Sequence, residues 1–210
     1  MMSPNQPPGH DAPPTRRPRR ADAERSVERI LDAALDALAR DPEASMSDIA
    51  RGAGVARATI YVHFPTRETL TAAVTERAMA EVTRAMVVAE PDRGDPAEAL
   101  ERLLTIAWHE LGRFHALVSV NVRQPQSDLR ELHRPVFTIL QPLVERGQQD
   151  GTFRSDVPAA WHISMMLALI HAAIGELEVS PLTRDEVASA LVTTALGSVA
   201  APRPQRQRHG

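Results

Sequence analysis

A short run of polar side chains between residues 57 and 63 is the part of this sequence best suited to binding a charged partner. Arginine, threonine, tyrosine and histidine occur there beside Ile60 and Phe64, which need burial. On a helix, Ile60 and Phe64 share one face, so the polar side chains are left facing outward. Arginine binds phosphate or guanine with paired hydrogen bonds, and hydroxyl groups also bind phosphate. The run therefore indicates a contact with nucleic acid.

The segment before this run has the residues needed to place it on a second helix after a tight turn. Ser45 and Asp48 form a capping box, which predicts the start of a short helix. Gly54 supplies a permissive turn, and small Ala50 and Ala53 allow the two helices to cross closely. This order predicts a helix-turn-helix, which lays its second helix in the major groove of DNA.

Length and composition limit the classes of protein that remain. With 210 residues, of which 43% are hydrophobic, the chain can form a core in one or two domains. The absence of cysteine excludes disulfides and thiolate metal sites, and the net charge of -3 requires any nucleic-acid contact to come from a local patch. The first residues lack the apolar core of a signal peptide, and the longest apolar run, residues 163–174, is short for a membrane span. We therefore expect a cytoplasmic protein without a membrane partner.

Both ends of the chain have the composition of disordered tails. Residues 1–22 are rich in proline and end in "RRPRR" at 16–20, and residues 201–210 are short and basic. Such segments have too little apolar surface to offset the entropy lost on ordering. The first tail is either a solubilising leader or a basic arm that adds contacts to DNA.

Between the tails, the pattern of apolar residues predicts helices only. An amphipathic helix begins at Glu24, and no segment shows the two-residue alternation of a strand. Pro135 and Pro142 are expected to bend the helix they interrupt. Capping residues and proline positions place the later helices at 66–89, 96–111, a short one ending near 122, 127–149, 158–177 and 183–199.

The stretch from about Glu24 to Ala80 resembles the DNA-binding domain of the TetR family of bacterial transcriptional regulators. The matching residues are "RILDAALDALA", "SDIARGAGVARATIYVHF" and "PTRETLTAAV". The resemblance implies an all-α protein in which residues 23–82 form the helix-turn-helix domain. Residues 83–200 would then form a larger helical domain for ligand binding and dimerisation.

The resemblance also implies roles for individual residues toward double-stranded DNA. Arg57 and Ala58 would reach base edges, and Val62 would touch a thymine methyl group. Phosphate contacts would come from Ser45, Thr59, Tyr61, His63 and Arg67. Two departures from the family pattern matter: Ala56 stands where a capping serine is frequent, and Ala58 stands where glycine is common.

The second half carries no specific motif, and its candidate ligand-binding residues are chosen by residue type. His171 is the most informative, since an imidazole on an apolar helix needs a partner, either a ligand or a backbone carbonyl. The same residues are also suited to a plain core. The candidates are Trp108, His109, Phe114, Phe137, Met165, Met166 and His171.

Two other functional classes find less support. A metal-binding protein would group His109, His115, His162 and His171, but their spacing matches no metal motif. We expect no metal or other cofactor. An enzyme is not expected either, because no nucleophile elbow, phosphate-binding glycine loop or catalytic carboxylate pair is present.

The last two helices are the expected dimer interface. Residues 163–174 are apolar nearly all round, as in a helix buried by its own core and by a partner. Small residues allow close approach of the partner helix. The candidate interface residues are Ala168, Ala172, Gly175 and Leu191.

These expectations combine into one function. The chain is expected to be a homodimeric repressor that binds a pseudo-palindromic operator and is released by a small molecule. The alternatives are a transcriptional activator, a regulator without a ligand, or a helical protein that binds a metal or a small molecule.

Overall fold

The computed structural model describes residues 16–112, Phe114 and 130–202, and helices make up nearly all of this part of the chain. The first half contains α1 and the short helices α2 and α3, followed by the long α4. The second half contains α5 to α8. In chain order they are α1 (Arg16–Arg40), α2 (Met46–Gly52), α3 (Arg57–His63), α4 (Arg67–Val88), α5 (Pro96–Gly112), α6 (Arg134–Gln149), α7 (Ala159–Val179) and α8 (Arg184–Val199).

The all-helical prediction is confirmed for the described residues. No β-strand occurs there, and a single bridge between Phe153 and Ala200 pairs the turn before α7 with the end of α8. Helix α1 begins at Arg16, earlier than the expected Glu24, because arginine and alanine are good helix formers and Pro18 lies in the first turn, where its missing N–H costs no helical hydrogen bond. The short helix expected near residue 122, the expected start at 127, and most of both tails lie outside the described residues.

Capping residues set the helix starts as the sequence predicts. The capping boxes Ser45 to Asp48 and Thr183 to Glu186 are both present, and Asp95 accepts hydrogen bonds from the first turn of α5. Residues 130–132 are helical, and a turn at His133 separates them from α6, whose first turn contains Pro135. The helical stretch is therefore interrupted next to Pro135. Pro142 does lie inside α6.

A common core joins the two halves through α4. Leu70 and Val74 of α4 are buried near α1, whereas Val82 and Met86 are buried further along, where α4 packs on α5 and α6. At 22 residues, α4 spans about 33 Å. One rigid helix therefore connects the base of the helix-turn-helix to the interior of the second half.

The turn between α4 and α5 is held by arginine side chains from neighbouring helices. Arg146 of α6 donates hydrogen bonds to the backbone carbonyls of Pro91, Asp92 and Gly94 at 2.8–3.1 Å. Arg102 of α5 donates to the carbonyl of Arg93 at 3.1 Å. These bonds satisfy backbone acceptors that no helix uses, so the far end of α4 is fixed to the second half.

Candidate nucleic-acid interface and ligand cavity

The turn between α2 and α3 has the geometry that the sequence predicts. Helix α2 begins at the capping box, in which the amide of Asp48 donates to the hydroxyl of Ser45 at 3.2 Å. Gly54 then adopts a positive φ of 63°, which a side chain would disfavour. Ile49, Ala50 and Ala53 are buried, so α2 packs closely on its neighbours and fixes the direction in which α3 leaves the turn.

Helix α3 has one buried and one exposed side. Ile60 is fully buried, and Phe64 directly after the helix is 8% exposed. Burial of these two side chains fixes the rotation of α3 about its axis. The exposed side chains are Arg57, Ala58, Tyr61 and Val62, and those of Thr59 and His63 are half-buried.

Two features of α3 affect how its exposed side is presented. The Arg57 guanidinium lies 5.7 Å from the centre of the Tyr61 ring, a cation–π contact that holds both side chains on the same face. Ala56 at the N-cap makes no side-chain hydrogen bond to α3. The start of α3 therefore has backbone amides without a side-chain acceptor, as the departure at Ala56 predicts.

Arg67 has a different position from the one expected of a phosphate ligand. Its guanidinium is half-buried and donates hydrogen bonds to the backbone carbonyls of Pro42 and Ala44, in the loop before α2. The two nitrogens in these bonds point into the protein. Arg67 therefore links the start of α4 to the start of α2, and its contact with phosphate stays a prediction.

Ser45 also has protein partners. Its hydroxyl donates to the Asp48 carboxylate at 2.6 Å, and this bond is the main reason that the pKa of Asp48 is lowered from its usual value. Arg51 contacts the other carboxylate oxygen at 2.9 Å. The Ser45 hydroxyl thus lies beside the ionised Asp48 carboxylate. A phosphate bound to the same hydroxyl would be repelled by this negative charge.

An ion-pair cluster joins α1 to α4 beside the helix-turn-helix. The Arg77 guanidinium on α4 contacts Glu28 and Asp32 on α1 and lies 3.4 Å from Glu81 on its own helix. These carboxylates raise the pKa of Arg77, with the hydrogen bond to Glu28 as the largest cause. The cluster fixes the crossing of α1 on α4.

A largely apolar cavity of about 60 Å³ lies between α4 and the helices of the second half. Helices α4, α5, α6 and α7 all contribute to its wall, together with Phe114 and the residues just before α6. The lining residues are Thr75, Ala78, Met79, Val82, Met86, Leu103, Leu104, Ala107, Leu111, Phe114, Leu132, His133, Val136, Leu140, Met166, Leu167, Ile170 and His171.

The structure brings together only part of the ligand-binding set expected from the sequence. Phe114, Met166 and His171 line the cavity. The other four do not. Trp108 is buried under Arg184, Phe137 is half-buried away from the cavity, and His109 and Met165 are exposed.

Sequence reasoning missed His133, whose ring lies 5.3 Å from that of His171 in an edge-on arrangement. It is 8% exposed and lies in the turn directly before α6. Because the pairing joins residues far apart in the chain, only the packing of α7 against α6 reveals it.

One side of α7 is apolar and uncovered. Ala168, Ala172 and Gly175 are exposed there, beside Trp161, which is 59% exposed, and Met165. A Cβ atom added at Gly175 would meet nothing within 4 Å, so nothing in the described chain covers this position. Leu191, in contrast, is 4% exposed in the chain's own core, which corrects its assignment to an interface.

The apolar stretch on α7 is longer than the sequence analysis expected. Residues 159–177 have a mean hydropathy of 1.3 and are long and apolar enough to cross a membrane by length and composition, while 28% of the stretch is buried. Ser164 does not interrupt it, because its hydroxyl donates to the Ala160 carbonyl at 2.9 Å. Within the described residues, no cluster of histidine and acidic side chains could hold a metal ion.

Comparison with known proteins gives relatives of one kind. The chain is 28% identical over 183 residues to the HTH-type transcriptional repressor LfrR of Mycolicibacterium smegmatis, across 86% of this chain and 94% of the relative. It is 26% identical over 153 residues to the HTH-type transcriptional regulator NfxB of Pseudomonas aeruginosa, across 70% and 80%.

Solved structures share the fold. LfrR from Mycobacterium smegmatis in complex with proflavine has a TM-score of 0.61 at 22% identity, covering 85% of this chain and 99% of that one. FadR from Bacillus subtilis in complex with stearoyl-CoA has a TM-score of 0.69 at 18% identity, covering 82% and 98%. Residues 30–74 match the model for bacterial regulatory proteins of the tetR family. Together with the helix-turn-helix and the helical second half, these matches show that the chain belongs to the TetR family of transcriptional regulators.

Proposed function

We propose that this regulator is a homodimeric repressor that binds a pseudo-palindromic operator and leaves it when a small molecule occupies the cavity. The observation that carries the proposal is the position of α4. This helix begins at the helix-turn-helix and contributes Thr75, Ala78, Met79, Val82 and Met86 to the cavity wall. A ligand that moves α4 would therefore move the DNA-binding surface with it.

The DNA-binding surface we propose consists of Arg57, Ala58, Thr59, Tyr61, Val62 and His63. Arg57 and Ala58 would contact base edges and Val62 a thymine methyl, while Thr59, Tyr61, His63 and Ser45 would contact phosphates. The exposed side of α3 supports the base contacts, since a helix in the major groove needs side chains that nothing else covers. Arg67 would stabilise the position of this surface through its hydrogen bonds to the loop before α2.

The dimer we propose forms through the exposed side of α7 and α8. One α3 reads too few base pairs to specify a site in a genome, so two copies related by a two-fold axis are needed. The uncovered apolar stretch of α7 supports this interface, because apolar surface of that extent is stabilised by a partner.

Recovery of bound genomic DNA tests the proposal. The purified full-length protein is mixed with fragments of its own genome, the retained DNA is sequenced, and a recovered site is titrated by fluorescence anisotropy. We expect a pseudo-palindrome that Arg57→Ala binds with reduced sequence preference, while Arg93→Ala, an exposed position in the turn after α4, binds normally. Retention of DNA without a shared sequence would contradict the proposal.

A further inference from the structure

The cavity wall contains a pair of imidazoles in otherwise apolar surroundings. Its polar lining residues are Thr75, His133 and His171, and no Asp, Glu or Arg is among the described residues that line it. The hydroxyl of Thr75 donates to the Thr71 carbonyl at 2.9 Å within α4. His171, with the His133 ring beside it, is therefore the group best placed to bind a polar atom of a ligand.

The His171 side chain makes few contacts with polar groups of the described chain. Its ring is half-buried on α7, and its contact with the His133 ring is the one polar or ring contact that the described residues give it. Burial first, and the charge of His133 second, lower the pKa of His171 from its usual value. A polar ring left without a hydrogen bond in an apolar wall costs free energy, which a ligand acceptor would recover.

We propose that the cavity binds an apolar molecule that carries a single acidic group, and that His133 and His171 hold this group. The inference rests on the proposed function, because it takes the cavity to be the regulatory site. It goes further by naming the chemical class of the ligand.

Charge explains why an acid is favoured over a base. The helices that pack around the pair, α4, α5, α6 and α7, present no charged side chain of either sign to the cavity among the described residues, so His133 and His171 are its titratable groups. A cationic ligand would find no carboxylate among the described lining residues to neutralise it. An anionic ligand can be neutralised, because an imidazole gains a proton more readily when a carboxylate lies beside it.

The proton balance of this binding step is explicit. At neutral pH the acid is ionised in solution, and His171 is neutral because its pKa is lowered. The complex contains the carboxylate, the pair of imidazoles and one added proton, which the protonated buffer donates to an imidazole nitrogen. One N–H bond forms on the imidazole as one bond to hydrogen breaks in the buffer acid, and no covalent bond joins the ligand to the protein.

Size restricts the probe that can test this. The cavity of about 60 Å³ holds a small molecule, and the flexible side chains of Met79, Met86 and Met166 can make further room. Hexanoate, hexan-1-ol and hexylamine share one alkyl chain and differ only in the terminal group. They therefore separate the contribution of the acid from that of the apolar chain.

Calorimetric titration of the full-length protein without DNA is the test. We expect hexanoate to bind at least about tenfold more tightly than hexan-1-ol, and hexylamine to bind more weakly than both. Titrations in buffers of different ionisation enthalpy should show uptake of about one proton for hexanoate alone. Between about pH 6.5 and 7.5 the affinity for hexanoate should fall by up to about tenfold, whereas that for hexan-1-ol should stay constant.

A matched set of variants assigns the effect to the imidazole pair. His171→Leu should bind hexan-1-ol as well as the unmodified protein does, which shows that the cavity is intact, and should lose the preference for hexanoate. His109→Gln, at an exposed position on α5, should leave the preference unchanged.

Specific results would overturn the inference. They are equal binding of hexanoate and hexylamine, hexanoate binding without proton uptake, an unchanged preference in His171→Leu, or no binding of any probe. Because these titrations contain no DNA, each of these results leaves operator binding by the proposed repressor untouched. Failure of the protein to retain operator DNA, in turn, would contradict the proposed function and leave the binding preference standing.

Discussion

Arg57 and Tyr61 form the part of the α3 surface in which the roles of individual side chains can be separated. The two are held together by a cation–π contact at 5.7 Å, yet only Arg57 of the two has paired N–H donors that can bind a guanine edge with two hydrogen bonds. Arg57→Ala should lower discrimination at one position of each half-site by about 1 to 3 kcal/mol.

Tyr61→Phe tests the expected contact between the Tyr61 hydroxyl and a phosphate. It removes only the phenolic hydroxyl, so binding should weaken about equally on every operator variant. Titration of single-base operator variants with both mutants distinguishes the two. A uniform loss in Arg57→Ala would show that this arginine binds phosphate instead of a base.

Arg67 gives the second prediction at this scale. Its hydrogen bonds to the carbonyls of Pro42 and Ala44 are donated by a charged group, and their removal leaves backbone acceptors unsatisfied. Arg67→Ala should therefore destabilise the fold by about 1 to 3 kcal/mol, as measured by chemical denaturation. Arg57→Ala is the control, since the exposed Arg57 side chain donates no hydrogen bond to the backbone of the described residues. Normal stability with weakened DNA binding in Arg67→Ala would support the phosphate role.

The difference between Ser45 and Arg67 shows which residue roles a sequence can reveal. The capping box at Ser45 and the turn at Gly54 depend on residues within a few positions, and both were predicted. The partners of Arg67 precede it by 23 and 25 residues, so its role depends on how α4 packs against the loop before α2. His133 was missed for the same reason.

At the scale of elements, the crossing of α1 on α4 determines how the helix-turn-helix is attached to the rest of the molecule. Arg77 joins Glu28 and Asp32 across this crossing, and its side chain is 28% exposed. Because the acidic partners are largely exposed, solvent weakens each pair.

Replacement of Arg77 by methionine tests this crossing. Arg77→Met keeps most of the side chain's apolar volume and should lower the free energy of unfolding by about 0.5 to 1.5 kcal/mol at low salt, with a smaller loss at high salt. Arg25→Met is the control, because within the described part of the chain Arg25 pairs with Asp22 alone, on the same helix, and both are exposed. Equal losses for the two mutants in urea titrations would contradict a structural role for the crossing.

Helix existence and helix caps were predictable at this scale, whereas helix faces were predictable only in part. Ala168, Ala172 and Gly175 were expected on an outer face of α7 and are exposed. Leu191 shares the apolar character of an interface residue but lies in the core, since nearly all of α8's apolar residues face α5 and α7. Residue type alone does not distinguish a core face from an interface face.

At the scale of the whole molecule, the exposed side of α7 and α8 provides a prediction about assembly. Gly175→Arg places a long charged side chain where the described chain leaves open space, so the monomer fold should be kept while a dimer should be blocked. Thr105→Arg, on the exposed side of α5, is the control. Light scattering should show monomers for Gly175→Arg and dimers for Thr105→Arg. Dimers in both would move the interface elsewhere.

Loss of the dimer should also remove the preference for the full operator over a single half-site. Paired recognition helices reach half-sites whose centres lie about 34 to 36 Å apart or a multiple of that distance, and a monomer can occupy only one of them. Gly175→Arg should therefore bind a single half-site and a full operator about equally, whereas the unmodified protein should prefer the full operator strongly.

The continuous helix α4 links this assembly to the cavity. Arg67 and Arg77 fix the first half of α4 to the DNA-binding domain, and Arg146 and Arg102 fix the turn at its far end to the second half. A ligand that displaces the middle of α4 must therefore displace one of its ends. In a dimer, movement of both α3 helices changes the distance between them. The distance between the major grooves of the operator is fixed, so the two helices then no longer fit both half-sites.

Thermodynamic linkage makes this coupling measurable from either site. If a ligand weakens operator binding by a given factor, operator DNA must weaken ligand binding by the same factor. Coupling of about 1 to 3 kcal/mol is typical, whereas a change from nearly all bound to nearly all free requires about 5.5 kcal/mol of differential binding. Titration of a ligand that binds the cavity into the dimer, with and without saturating operator, should give affinities that differ by this factor, with a scrambled duplex as the control. Equal affinities would refute release by ligand, because a molecule that binds both states equally cannot shift the equilibrium between them.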